Sequence, residues 1–186
     1  MTFFKNLFGN NEKTATKPEK PARPASPANT YAWSYFDNAA SGVRLPYPRN
    51  WITSEQAGKI LIHEASPHML PGGILEIGMT LVMLNTSKSA LAGADDLTIC
   101  KHWMETMIKN SAGTLEWSEP GKIPTGQPAI WYGYRFPKAG ANLKAVCVAA
   151  HKRGSLYYLD VTGRAELVDA RIEEWKAIIH ALEVRK

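Results

Sequence analysis

The chain has 186 residues, of which 45% are hydrophobic and 21% charged, with a formal net charge of +5. That length holds one domain with a sizeable core and some spare sequence, and no apolar run approaches the ~20 residues that a membrane-spanning helix needs. Residues 1–30 carry five basic side chains against two acidic ones, so the charge belongs mainly to an N-terminal arm and not to the clustered basic face of a nucleic-acid-binding domain.

The opening stretch, MTFFKNLFGNNEK, has no apolar core of useful length, no small-residue cleavage site and no nearby cysteine for a lipid. It does not read as a secretory or lipoprotein leader. Phe3 and Leu7 are four apart, as are Phe4 and Phe8, the spacing that places side chains on one helix face, and Gly9 and Asn10 end the pattern. Two turns do not hold themselves in water. Residues 1–10 are therefore expected to be an amphipathic tip, with Phe3, Phe4, Leu7 and Phe8 as docking side chains for a partner or a membrane. Residues 11–30, containing TKPEKPARPASPANT, cannot build a core and read as a flexible, disordered linker. At the ~3.1 Å per residue of polyproline II it would reach roughly 60 Å.

A globular domain is expected over residues 31–186. YAWSYFD reads as a strand. In VRLPYP, residues 43–48, Val43, Leu45 and Tyr47 alternate with Arg44, Pro46 and Pro48. Proline cannot donate to a ladder, so this strand is expected at an edge or to break early. After a turn at Pro48–Asn50, Trp51 is expected to fold back as a core plug. KILIHEA reads as a strand, SPHMLPGG as a connection, and GGILEIGMTLVMLN as one long strand with Leu75, Ile77, Met79, Leu81 and Met83 on one face. In ADDLTICKHWMETMIKNS the aspartates suit a helix start, and Leu97, Cys100, Trp103, Met104, Met107 and Ile108 recur at helical spacing. TLEWSEPGKIPTGQPAIWYGYRF supplies two strands. NLKAVCVAAHKRGSLYYLDVTG is a hairpin turning at KRGS. AELVDARIEEWKAIIHALEVRK closes the chain as one long helix with Val168, Ile172, Trp175, Ile179 and Leu182 in a stripe. Strands, helix, antiparallel strands and helix make an α+β domain.

LPYPRNW, then GQPAIWYGYRF, then a hairpin with GSLYYLDVTG and a terminal amphipathic helix resemble the PsbP-like and Mog-like (DcrB-related) superfamily over residues 31–186. The resemblance implies an α/β/α sandwich: a central antiparallel sheet with helices on both faces. It also implies a mostly non-enzymatic class that includes extrinsic photosystem subunits, Ran-binding Mog proteins, DcrB-like lipoproteins and cytoplasmic chaperones of secretion effectors. It carries over no functional residue. The missing leader sets the chain apart from the secreted members, and the arm from the smaller chaperones.

Chemical signatures are sparse. His63, Glu64 and His68 are close in sequence, but the histidines are five apart with Pro67 between, unlike the four-apart pair of helical zinc proteases. His102, His151 and His180 are scattered. Asp160 and Glu166 stand where carboxylates are expected beside a hairpin and a helix start. Cys100 and Cys147 sit in apolar patterns and read as core residues. No nucleophile elbow, phosphate loop or dinucleotide fingerprint is present. The expected function is a non-enzymatic, cytoplasmic protein-interaction or assembly/chaperone-type factor, with no cofactor, metal or nucleic acid and a protein partner of unspecified identity. A peripheral membrane protein held by the tip is the first alternative. An enzyme using the region of His63, Glu64 and His68 is the second.

Overall fold

The computed structural model describes residues 33–56, 58–87, 91 and 93–185. The tip, with Phe3, Phe4, Leu7 and Phe8, and the linker over residues 11–30 lie outside the described residues. In chain order the elements are β1 (Trp33–Asn38), β2 (Val43–Pro48), β3 (Trp51–Gln56), β4 (Lys59–Glu64), β5 (Met69–Leu70), β6 (Ile74–Leu75), β7 (Ile77–Asn85), α1 (Asp96–Asn110), β8 (Thr114–Lys122), β9 (Pro128–Lys138), β10 (Ala141–Lys152), β11 (Ser155–Arg164), α2 (Ala165–Ala170), α3 (Ile172–His180) and β12 (Glu183–Val184). A seven-stranded sheet runs β3-β4-β7-β11-β10-β9-β8, a three-stranded sheet β1-β2-β12, and β5 pairs with β6. Every pairing is antiparallel.

The α+β expectation holds. Strand alternation divides the large sheet into two apolar faces. On one, Ile130, Tyr132 and Tyr134 of β9 and Ala145, Cys147 and Ala149 of β10 pack under Ile99, Cys100 and Met104 of α1. On the other, Trp131, Val146, Val148, Leu159 and Met79 meet Trp175, Ile178 and Ile179 of α3 together with Val43 and Leu45 of β2. Helices therefore lie on both faces, and a small sheet shares the second face with α2 and α3.

The β10–β11 hairpin turns at Arg153 and Gly154, with φ of 50° and 77° and Lys152 opposite Ser155. Both central residues at positive φ make the type I′ turn that matches strand twist. A Cβ on Gly154 would come within 2.3 Å of Ser87 Oγ. Gly154→Ala should therefore destabilise the fold by about 1–2 kcal/mol, readable by denaturant unfolding; an unchanged midpoint would show that the turn relaxes freely.

Several expectations are corrected. The C-terminal helix is two helices, because Arg171 leaves helical geometry at φ −130° and ψ 28°. The break lets α2 follow the sheet and α3 turn Trp175 into the core. The predicted stripe survives it: Val168, Trp175, Ile179 and Leu182 are fully buried. The last residues then leave the helix to form β12, opposite Val43 and Arg44 of β2. β2 is thus the middle strand of its sheet and not an edge. β12 reaches only its first two residues, so the half bearing Pro46 and Pro48 has one neighbour and loses no ladder bond there. The stretch after Trp51 is a strand, β3, that the sequence reading did not anticipate. The long strand predicted over residues 72–85 is interrupted at Glu76, and Leu75 leaves the shared face for the β5–β6 ribbon. On α1, Ile99 is buried and Leu97 is not.

Candidate functional site

A groove of about 330 Å³ runs between α1 and the ends of β7 and β11, lined by Leu84, Leu91, Ile99, Trp103 and Leu156, with Asn85, Thr86, His102 and Thr106 at its polar positions. At its edge three elements converge on His151, at the end of β10 and only 4% exposed. Its Nδ1 lies 2.6 Å from Asp96 Oδ1 at the start of α1. Its Nε2 lies 2.8 Å from Thr86 Oγ1, just past β7. A carboxylate only accepts, so the neutral ring carries its proton on Nδ1 and accepts the Thr86 hydroxyl at Nε2. Asp96 is free to serve because the helix cap falls to Asp95, whose carboxylate accepts the Thr98 N–H at 3.0 Å. The reading of His151 as one of several scattered histidines missed this cluster. Its parts lie 55 and 65 residues apart in the chain, and only the strand-end position of His151 hinted at a turn contact.

The trio chosen from the sequence is divided by the sheet. Alternation along β4 sends His63 and Glu64 to opposite faces. His63 lies 3.4 Å from Ser54 Oγ through Nε2 and 2.7 Å from the Glu64 carbonyl oxygen through Nδ1. Glu64 and His68 instead line a groove on the α2 side with Glu76, Leu167 and Arg171. Among the described residues no three His, Cys, Asp or Glu side chains stand where they could hold a metal ion together. The cysteines are buried as expected. Burial, then the charges of Asp96 and Asp95, push the Cys100 thiol up to about 12. Burial pushes Cys147 well above the usual thiol range. Neither is a thiolate nucleophile at neutral pH.

α1 packs on β9 and β10 and reaches β8. Towards the other side of the sheet the same face opens. Leu61, Thr80, Val82 and Leu84 are half-buried, and Ile52 on the edge strand β3 is 45% exposed. His63 and Ser54 lie among them.

No protein-family model matches this sequence, and no curated protein matches it. Solved structures do. Cyanobacterial PsbP (CyanoP) from Synechocystis sp. PCC 6803 superposes with a TM-score of 0.61 at 14% identity, over 89% of this chain and 99% of that one. LpqN, involved in cell envelope biogenesis of Mycobacterium tuberculosis, gives a TM-score of 0.54 at 14% identity, over 85% and 93%. The protein of unknown function PA94 from Pseudomonas aeruginosa, a putative regulator by its description, gives 0.50 at 15% identity, over 83% and 98%. The chain has a PsbP-like fold.

Two further polar clusters lie on this sheet. Asp160 of β11 is 8% exposed, lies in register between Thr80 and Cys147, and accepts the Thr162 hydroxyl at 2.9 Å. Burial raises its carboxyl to about 6 against the lowering effect of the Thr162 and Tyr158 hydroxyls and of Lys59. On the opposite face a β-bulge between Leu115 and Trp117 re-aims Glu116. Lys144, nearly buried, bonds Glu116 at 2.6 Å and Asp169 of α2 at 2.7 Å. Arg135 pairs with the same two carboxylates and closes a ring of alternating charge. For Asp169, hydrogen bonds from Lys144 and then Arg135 outweigh burial and hold the carboxyl below its ordinary range. For Glu116, burial raises it, and the two cations more than reverse that. The ring fastens α2 to the sheet. No helix among the described residues is long and apolar enough to cross a membrane.

Proposed function

We propose that this chain is a protein-interaction or assembly/chaperone-type factor of the cytoplasm, whose PsbP-like domain holds a protein partner and whose N-terminal arm tethers the pair. The observation that carries this reading is the lopsided cover of the large sheet: among the described residues one helix shields β8, β9 and β10, and the apolar positions Ile52, Leu61 and Val82 towards β3 are left open or half-open. An apolar patch that a helix leaves open on a sheet is a candidate partner site. The accessory character of PsbP-like proteins supports it, and so does the sequence resemblance to Mog-like and DcrB-related proteins. Phe3, Phe4, Leu7 and Phe8 are the proposed docking side chains of the arm. Burying each is worth about 1.5–3 kcal/mol before the peptide is ordered, and tethering adds effective concentration.

A photo-crosslinking residue at position 52 of the full chain should trap a protein partner in cells, and the same residue at Leu115, on the far edge strand, should not. Equal capture at both positions, or none at 52, removes the open face from the reading. Deleting residues 1–10 should weaken recovery of that partner or reduce the membrane-associated fraction. Loss of partner recovery favours protein docking, loss of the membrane fraction favours the peripheral-membrane alternative, and no change in either removes the tip from both.

A further inference from the structure

Beyond partner binding, the geometry points to an acyl-transfer site at Thr86, acting on small esters with an apolar acyl group. Thr86, His151 and Asp96 stand as hydroxyl, imidazole and carboxylate at 2.8 Å and 2.6 Å, within the range for an activated nucleophile and its oriented base. The tautomer fixed by Asp96 is the one that can take the Thr86 proton. His151 is shielded from water, and Thr86 is half-buried and lines the groove. The groove's size falls in the usual range for small-ligand sites, and its apolar wall of Leu84, Ile99, Trp103 and Leu156 suits a short acyl chain.

An oxyanion donor is also needed. The Thr86 N–H is engaged by the Gly154 carbonyl at 2.8 Å and the Ser87 N–H by Asn85 Oδ1 at 2.9 Å, so neither backbone group is available. Asn85 also lines the groove, and with its carbonyl oxygen engaged by the Ser87 N–H its NH₂ is the side-chain donor assigned to the oxyanion, the role that an amide fills in some acyl-transfer sites. In the reaction, Thr86 Oγ1 bonds to the ester carbonyl carbon while its proton passes to His151 Nε2. The carbonyl–alkoxy bond breaks, and the leaving alcohol takes that proton. Water, deprotonated by His151, then attacks the acyl-threonine, releases the carboxylic acid and returns the proton to Thr86. Asp96 is a positioning residue that holds the ring and stabilises the transient imidazolium.

The test uses the full chain with p-nitrophenyl butyrate for turnover and an alkyl fluorophosphonate for trapping, followed by peptide mass mapping. The wild type and Thr86→Ser should carry the phosphonyl adduct at position 86 and turn over ester. Thr86→Val, which removes the hydroxyl at nearly constant volume, should lose at least about 100-fold in both. His151→Gln should match it, and Asp96→Asn should lower kcat with KM within about twofold, a split that simple loosening of the groove would not give. If His151→Gln fails to fold, Thr86→Val alone decides. Absence of adduct in both the wild type and Thr86→Ser, an adduct elsewhere, or Thr86→Val at the wild-type rate would each overturn the assignment and leave the trio as a clamp between α1 and the sheet. Loss of the partner crosslink at position 52 has no bearing on this result, so the two readings fail separately.

Discussion

Replacing Trp51 by alanine should cost about 3–5 kcal/mol of folding stability. The indole is 4% exposed and sits 5.8 Å from the fully buried Trp175, centroid to centroid, with the rings tilted by 35°. Trp51 opens the outermost strand of the large sheet immediately after the chain leaves β2. The residue therefore ties the small sheet, the large sheet and α3 into one core, and alanine would leave a cavity bounded by all three. Its N–H has no hydrogen-bond partner among the described residues, so removing it strands no other polar atom. Equilibrium unfolding in urea reads the loss. A mutant as stable as the wild type that no longer binds its partner would reverse the structural role and make Trp51 a ligand platform.

The second large effect has the opposite sign. Asp160→Asn should stabilise the protein by up to about 2 kcal/mol at neutral pH. The folded carboxyl, raised to about 6, holds its proton over a range in which the unfolded side chain, near 3.8, has lost it. Its contribution to stability is fully present below about pH 4 and disappears as pH rises through about 6, above which a buried charge remains. Glu116 and Asp169, held below their ordinary range, run the other way: their contribution is present above the unfolded values and is lost as pH falls through the folded ones. Wild-type stability between pH 4 and 7 is the sum of these trends, and Asn removes only the first. Thermal melts across this range should show the largest gain at the alkaline end. Equal melts at pH 7 would mean that the buried carboxylate is compensated by contacts that Asn cannot make.

The parts of the fold visible in the sequence are those where local signals agree with the tertiary environment. β9, β10 and β11 carry long apolar runs that the sheet buries on both faces, and Gly154 sits where the turn needs positive φ. The Asp95 cap opens α1 where the aspartates suggested. β3 was invisible because an edge strand buries little: after Trp51, residues Ile52 to Gln56 are all exposed and carry no pattern to read. The break at Arg171 has no proline or glycine to announce it, and comes from the need to steer Trp175 into the core. At the candidate site, nearness in sequence misled. His63 and Glu64 are neighbours that the pleat separates, and Thr86, Asp96 and His151 are distant residues that the sheet and helix bring together. Only three-dimensional pairing could have chosen between them.

The short strand β12 also sets an order of events. Val43 and Leu45 are fully buried, as are Leu182 and Val184 against them, yet the two strands are separated by roughly 140 residues of chain. While the polypeptide emerges from the ribosome, the inner face of the β1–β2 hairpin has no lid, and the core around Trp51 and Trp175 stays open until α3 and β12 have been made. A chain interrupted before α3 would present that face to its neighbours. Premature termination should therefore produce aggregation and not a smaller folded domain.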